Sequence, residues 1–237
     1  MKNREPKSAE WYDDDFKRHP GWYCRGHYRR RNQIFAEMIS KYVPKRVFEF
    51  AGAEGQLAQF ILQRCPQIEY YLWSDFSKEA LKEAYPKLKR FKNCEMQLLD
   101  MEKDLDKIPW DVFDCVISTS LEHISNDIAI MEHIKPKTLV CLALPDFDWE
   151  GHVRYFPTKE SVIQRYHKYL NFIEFKIHSG VALTDYIFEN FAPLTAVKHL
   201  LWRLKLLKFV QKIGIFKSKY PPLRYLIIAE KKTEVNG

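Results

Sequence analysis

The chain has 237 residues, 46% of them apolar, and a net charge of +7. That length suits one α/β domain with a full core. The polar start MKNREPKSAE carries no secretory apolar region, and no apolar run approaches the roughly 20 residues of a membrane-spanning helix, so a cytoplasmic protein is expected. Cys24, Cys65, Cys94, Cys115 and Cys141 are scattered, with no C-x-x-C pair. That argues against a disulfide framework, and no metal site is expected; Cys115 and Cys141 fall inside apolar strand patterns and should be buried thiols.

The charge is uneven: +5 over residues 1–45, −4 over 46–180 and +6 over 181–237. Basic flanks around an acidic body suit an anionic partner: an acidic or phosphorylated substrate, a membrane surface or nucleic acid. For any single lysine, solvated surface is the plainer reading.

Residues 10–31 interleave aromatics and arginines around a Pro20-Gly21 turn. Such a stretch can bind single-stranded nucleic acid, but no recognised motif accompanies it. An N-terminal cover over a ligand cleft is the expectation, with Tyr12 and Tyr28 closing that cleft. Ile34 to Tyr42 shows helical periodicity and Pro44 should end it. Val47 to Phe50 then reads as a strand, running into the small-residue turn Ala51-Gly52-Ala53-Glu54-Gly55 and a helix over about 55–64. A strand, a tight turn and a helix start present backbone N–H groups to a nucleotide-like ligand. A second strand, 69–74, ends at Asp75, where an acid can take the hydroxyls of a ribose.

Ser77 should cap a helix from Lys78 to Tyr85, stopped by Pro86. Further strands are predicted at 94–99, ending in Asp100, at 113–118 and at 138–144, the last stopped by Pro145. Thr158 should cap a helix to about Tyr169; strands at 171–178 and 224–231 complete the chain. Alternating strands and helices predict a parallel sheet covered on both faces. Residues 181–220 form a long connection, in which 195–213 reads as a helix apolar around most of its circumference with a stripe of lysines. A wall or lid beside the cleft, a homodimer seam or a peripheral membrane contact would each cover it.

Taken in order, these motifs resemble the class I S-adenosylmethionine-dependent methyltransferases over roughly residues 10–180 and the last strand. Glu49-Phe50-Ala51-Gly52-Ala53-Glu54-Gly55 matches that family's acid-x-Gly-x-Gly-x-Gly motif, with alanine at two glycine positions. Ser74-Asp75-Phe76-Ser77 resembles the second motif and Leu99-Asp100-Met101 the third. Phe113 to Ser118, followed by Leu121-Glu122-His123-Ile124, resembles the fourth-strand signature. Gly151-His152-Val153-Arg154-Tyr155-Phe156, with Tyr12-Asp13 and Arg165-Tyr166, is similar to a subgroup found in bacterial surface-glycan gene clusters.

The resemblance implies a Rossmann-like three-layer sandwich whose seven-stranded, mostly parallel sheet has an antiparallel last strand. It implies S-adenosylmethionine as cofactor, held by Glu49, the turn residues Ala51, Gly52, Ala53 and Gly55, the acid pair Asp75 and Asp100, and Phe76, Met101 and Ser118. His123 is the first candidate for a base, His152 the second. Glu122, Arg154 and Tyr155, with Tyr12 and Tyr28, are the expected substrate contacts, Arg154 holding an anionic group. The acceptor is expected to be a small molecule or a carbohydrate-linked intermediate. Two other readings stand beside this one: a protein of the same fold that binds without catalysis, and, less favoured, an RNA methyltransferase guided by the basic flanks. A dinucleotide-dependent dehydrogenase would need G-x-G-x-x-G, which the turn lacks.

Overall fold

The computed structural model describes residues 4–24, 26–179 and 223–233. The helix expected at 195–213, and nearly all of the segment proposed as a lid, lie outside the described residues. Helices α1 (Ala9–Arg18) and α2 (Gly26–Ser40) precede β1 (Arg46–Glu49). There follow α3 (Gln56–Arg64), β2 (Tyr70–Asp75), α4 (Lys78–Leu88), β3 (Cys94–Leu98) and β4 (Cys115–Ser118). The chain continues through α5 (Asp127–His133), β5 (Leu139–Pro145), α6 (Lys159–Tyr166), β6 (Leu170–Ser179) and β7 (Leu223–Lys231).

The strands form one sheet in the order β3-β2-β1-β4-β5-β7-β6. Neighbours from β3 to β5 are parallel, and β7 runs antiparallel to both β5 and β6. This is the Rossmann-like sheet predicted, with its last strand reversed. Period-two alternation sends successive side chains to opposite faces. Val47, Tyr71, Trp73 and Ile117 join Phe35, Ile39 and Ile61 of α2 and α3 on one face. Phe48, Leu72, Val116 and Val140 pack against Ile130, Val162 and Tyr166 of α5 and α6 on the other. Cys115 and Cys141 are buried free thiols 3.9 Å apart.

Two local expectations need correcting. Pro86 does not stop α4, which runs on to Leu88. A proline removes only its own N–H, and here that falls in the last turn; Lys89 N–H still reaches the Tyr85 carbonyl at 2.9 Å. Burial of Leu88 in the core holds those final residues helical. The helix after Thr158 is also shorter than predicted, ending at Tyr166, although Thr158 does cap it in a reciprocal pair with Ser161.

The turn after β1 shows what its small residues do. A Cβ on Gly52 would lie 2.1 Å from Trp73 Nε1, and Gly55 combines φ of 68° with a Cβ position 2.9 Å from Ala84 Cβ, so both places require glycine. Ala51 and Ala53 also hold left-handed backbone, φ 50° and 49°. Alanine there is strained by roughly 1–2 kcal/mol per residue. Glycine would relieve the strain but add roughly 0.5–1 kcal/mol of unfolded-state entropy. Ala51→Gly and Ala53→Gly are therefore expected to leave the melting temperature unchanged or raise it by a few degrees in differential scanning calorimetry; a clear drop would mean the methyl groups support the turn.

Candidate active site

The C-terminal ends of β1, β2 and β4 open on a cavity of about 370 Å³. This is where an open α/β sheet binds ligands. One end is built from Ala51, Gly52 and Ala53, with Asp75 at the end of β2, Phe76 just after it, and Asp100 and Met101 after β3. Asp75 is 5% exposed and holds the turn in place: its Oδ2 accepts from Ala53 N–H at 2.9 Å and its Oδ1 from Ser77 N–H at 3.0 Å. Burial raises its pKa to about 6, against the pull of the N–H groups of Ser77, Ala53 and Phe76. With three N–H donors on its two oxygens, the carboxylate keeps one lone pair for a ligand hydroxyl. Asp100 lines the cavity too, but its carboxylate already accepts from Glu102 N–H at 3.0 Å and the Lys103 ammonium at 2.8 Å.

Helix α1, capped at its start by Ser8, borders this end with Tyr12 and Phe16. It is fastened to α4 by Asp13, which accepts from Ser77 Oγ at 2.5 Å and Glu79 N–H at 3.2 Å.

The other end contains Glu122 and His123, on the 3₁₀ turn Leu121–His123 after β4, together with Tyr28, Arg31 and Arg224. His123 Nδ1 lies 2.8 Å from the Gly151 carbonyl and 2.7 Å from the Tyr12 hydroxyl. A carbonyl only accepts, so the imidazole proton sits on Nδ1 and the lone pair on Nε2. His152 Nδ1 meets the Phe147 carbonyl at 3.1 Å with the same consequence. Burial lowers the pKa of both rings, that of His152 to about 4, against the opposing Glu122. Burial also acts to raise Glu122, but the charge of Arg224 opposes it, and the carboxylate's pKa lies below its ordinary value. Arg224 donates to Glu122 Oε1 at 3.2 Å.

Of the residues singled out in the sequence, Ala51, Gly52, Ala53, Asp75, Phe76, Asp100, Met101, Tyr12, Tyr28, Glu122 and His123 line the cavity. The others do not. Glu49 is buried beneath it, accepting from the Tyr71 hydroxyl at 2.7 Å, with its pKa raised to about 8 by burial. Gly55 shapes the start of α3. Ser118 is buried and accepts from Ser120 N–H at 3.2 Å, while the next residue, Thr119, reaches the cavity. His152 stands behind His123, ring centroids 4.8 Å apart. Tyr155 is half-buried outside the lining.

Arg154 requires the largest correction. It is buried and turned away from the cavity, donating to the carbonyls of Leu121, Ile124 and Ser125 and pairing with Asp127 at 3.1 Å. These partners take four of its five N–H donors, all those on the two terminal nitrogens. Arg165 meets the same carboxylate through two bonds of 2.6 and 2.7 Å, and Tyr166 donates to it at 2.8 Å. Val153 N–H adds a bond to the Glu122 carbonyl at 2.9 Å. The Gly151–Phe156 stretch thus clamps the turn that carries Glu122 and His123.

Sequence reasoning missed Arg31, Asn32 and Arg224 as lining residues. Arg31 is 5% exposed and donates twice to Asn32 Oδ1, at 3.0 and 2.8 Å. Burial and Arg224 lower its pKa to about 9, which leaves it charged at neutral pH.

No protein-family model matches the sequence, and neither does any curated protein. Solved structures do match. The N-methyltransferase NodS from Bradyrhizobium japonicum WM9, in complex with S-adenosyl-L-homocysteine, aligns over 96% of this chain and 100% of its own at a TM-score of 0.64 and 13% identity. The MccD protein aligns over 84% of this chain and 96% of its own at 0.58 and 12%. A methyltransferase-like protein (BH2331) from Bacillus halodurans C-125 aligns over 85% and 99% at 0.56 and 14%. The chain therefore has the fold found in these solved structures.

Proposed function

We propose that the protein transfers a methyl group from S-adenosylmethionine to an oxygen or nitrogen of a small-molecule or carbohydrate-linked acceptor, in the cytoplasm. The observation that carries this is the single cavity joining the Ala51–Ala53 turn and buried Asp75 to the Glu122–His123 end. The residues present fit the cofactor: N–H donors and small side chains at the turn, an acid able to accept from a ribose hydroxyl, and apolar Phe76 and Met101 for a base. Neighbouring methyltransferase structures of the same fold, one holding the demethylated cofactor, support the reading.

When bound, the cofactor supplies a methyl group already activated on a sulfonium. The chain's own work is then to align the acceptor atom with that group and keep water out. Tyr12 and Phe16 of α1 wall the cavity on one side. The neutral imidazole of His123 at its other end offers a lone pair toward an acceptor proton. Arg31 and Arg224 favour an acceptor that carries negative charge. The alternative of a binding protein without catalysis draws on the strained Ala51 and Ala53; it predicts cofactor affinity with no methylated product. An untargeted search for methylated products in cells with and without the protein separates the two and identifies the acceptor.

Asp75 gives a pH dependence with a definite sign. Asp13 is the neighbouring acid that acts with burial to raise its pKa. The ionised carboxylate accepts from a ribose hydroxyl, whereas protonation removes acceptor capacity. Affinity for S-adenosylmethionine should be flat above pH 7 and fall as pH drops through about 6. Titrations from pH 5 to pH 8 check this; affinity that rises on acidification contradicts it.

A further inference from the structure

We propose that Glu122, His123 and His152 form a binding site for one divalent first-row metal ion. Each imidazole commits its Nδ1 proton to a carbonyl, Gly151 for His123 and Phe147 for His152. Each Nε2 therefore carries a bare lone pair, and each lies 3.8 Å from Glu122 Oε1. Two lone pairs and a carboxylate converge with no proton of their own between them. The ligand atoms of the three residues all lie within 4.8 Å of one another. Arg224 supplies a donor to Oε1 alone; among the described residues, buried Glu122 Oε2 has no hydrogen-bond partner. A buried carboxylate oxygen left in that state is costly, and a cation removes the cost.

The chemistry of the set is specific. Two imidazoles and one carboxylate suit zinc, manganese, iron or cobalt. Bonds of roughly 2.1 Å place neighbouring ligand atoms about 3.0–3.5 Å apart. Each Nε2, now 3.8 Å from Glu122 Oε1, closes on an ion by a few tenths of an ångström, and the widest spacing, within 4.8 Å, closes by at most about 1.8 Å through rotation of a ring. Carbonyls on the far nitrogens fix both tautomers and aim both rings, as outer-shell partners of metal-bound histidines do. Arg154 adds rigidity by holding the carbonyls of Leu121, Ile124 and Ser125. Glu122 and His123 line the cavity, so the open positions of an ion there would face the space where an acceptor lies. Only that last consequence rests on the methyl-transfer reading.

The test is a titration of the full chain, stripped with chelator, with Co²⁺ and Zn²⁺ in the absence of cofactor and acceptor. The expected result is one equivalent bound, visible Co²⁺ d–d absorption without a thiolate charge-transfer band, and a raised melting temperature. Glu122→Gln and His152→Ala should each weaken binding at least tenfold, whereas His167→Ala on the surface should not change it. The wild-type spectrum and melting shift decide the matter even where a variant fails to fold. No bound ion, a thiolate band pointing to Cys115 and Cys141, or unchanged affinity in both folded variants overturns the site. Because no cofactor is present, failure here leaves cofactor binding untouched, and the reverse also holds.

Discussion

Asp127→Ala should lower the unfolding free energy by about 3 kcal/mol in urea denaturation. Its carboxylate is fully buried and joins Arg154, Arg165 and Tyr166. Removing it strands a buried guanidinium and a buried hydroxyl together. Arg165 is 30% exposed and can recover water, which keeps the loss at the low end of the range for broken buried pairs. Asp127→Asn retains an acceptor for Tyr166 and should cost less. The damage should also reach the active site, because Arg154 fixes the segment bearing Glu122 and His123. A loss below 1 kcal/mol would mean the arginines find other partners.

The second large effect is on turnover. With a hydroxyl acceptor, His123→Ala should lower turnover about 10²-fold or more while affinity for S-adenosylmethionine stays near wild type. His123 lines the part of the cavity proposed for the acceptor, whereas Asp75 and the turn line the part proposed for the cofactor. His152→Ala should act in the same direction, because its ring packs against His123 and shares Glu122. Full turnover in both variants would mean that alignment alone carries the reaction. A matching loss of cofactor affinity would mean that the rings serve mainly to shape the cavity.

The fold was legible because its signals are local. Alternating apolar strands, the small-residue turn and the caps at Ser77 and Thr158 each act within a few residues. Asp75 was legible for the same reason, standing at the end of a strand at a fixed distance from the turn. What escaped depends on tertiary contacts. In the run Arg29-Arg30-Arg31, helix geometry turns only Arg31 inward, and nothing in the run itself marks which arginine that is. Arg154 reads as an anion binder until Asp127 appears beside it, and 27 positions of sequence separate the two. Helix α5 has only seven residues and no side-chain cap, and its buried Asp127 breaks the apolar pattern that would have revealed it.

Isothermal titration calorimetry of the wild-type chain and of Asp75→Ala with S-adenosylmethionine is the most direct test of the account. The prediction is single-site binding by the wild type, weakened in Asp75→Ala by roughly 1–3 kcal/mol, or about 5- to 150-fold, as hydrogen bonds to the carboxylate are lost. Absence of binding heat in the wild type across conditions, or equal affinity in Asp75→Ala, would contradict it.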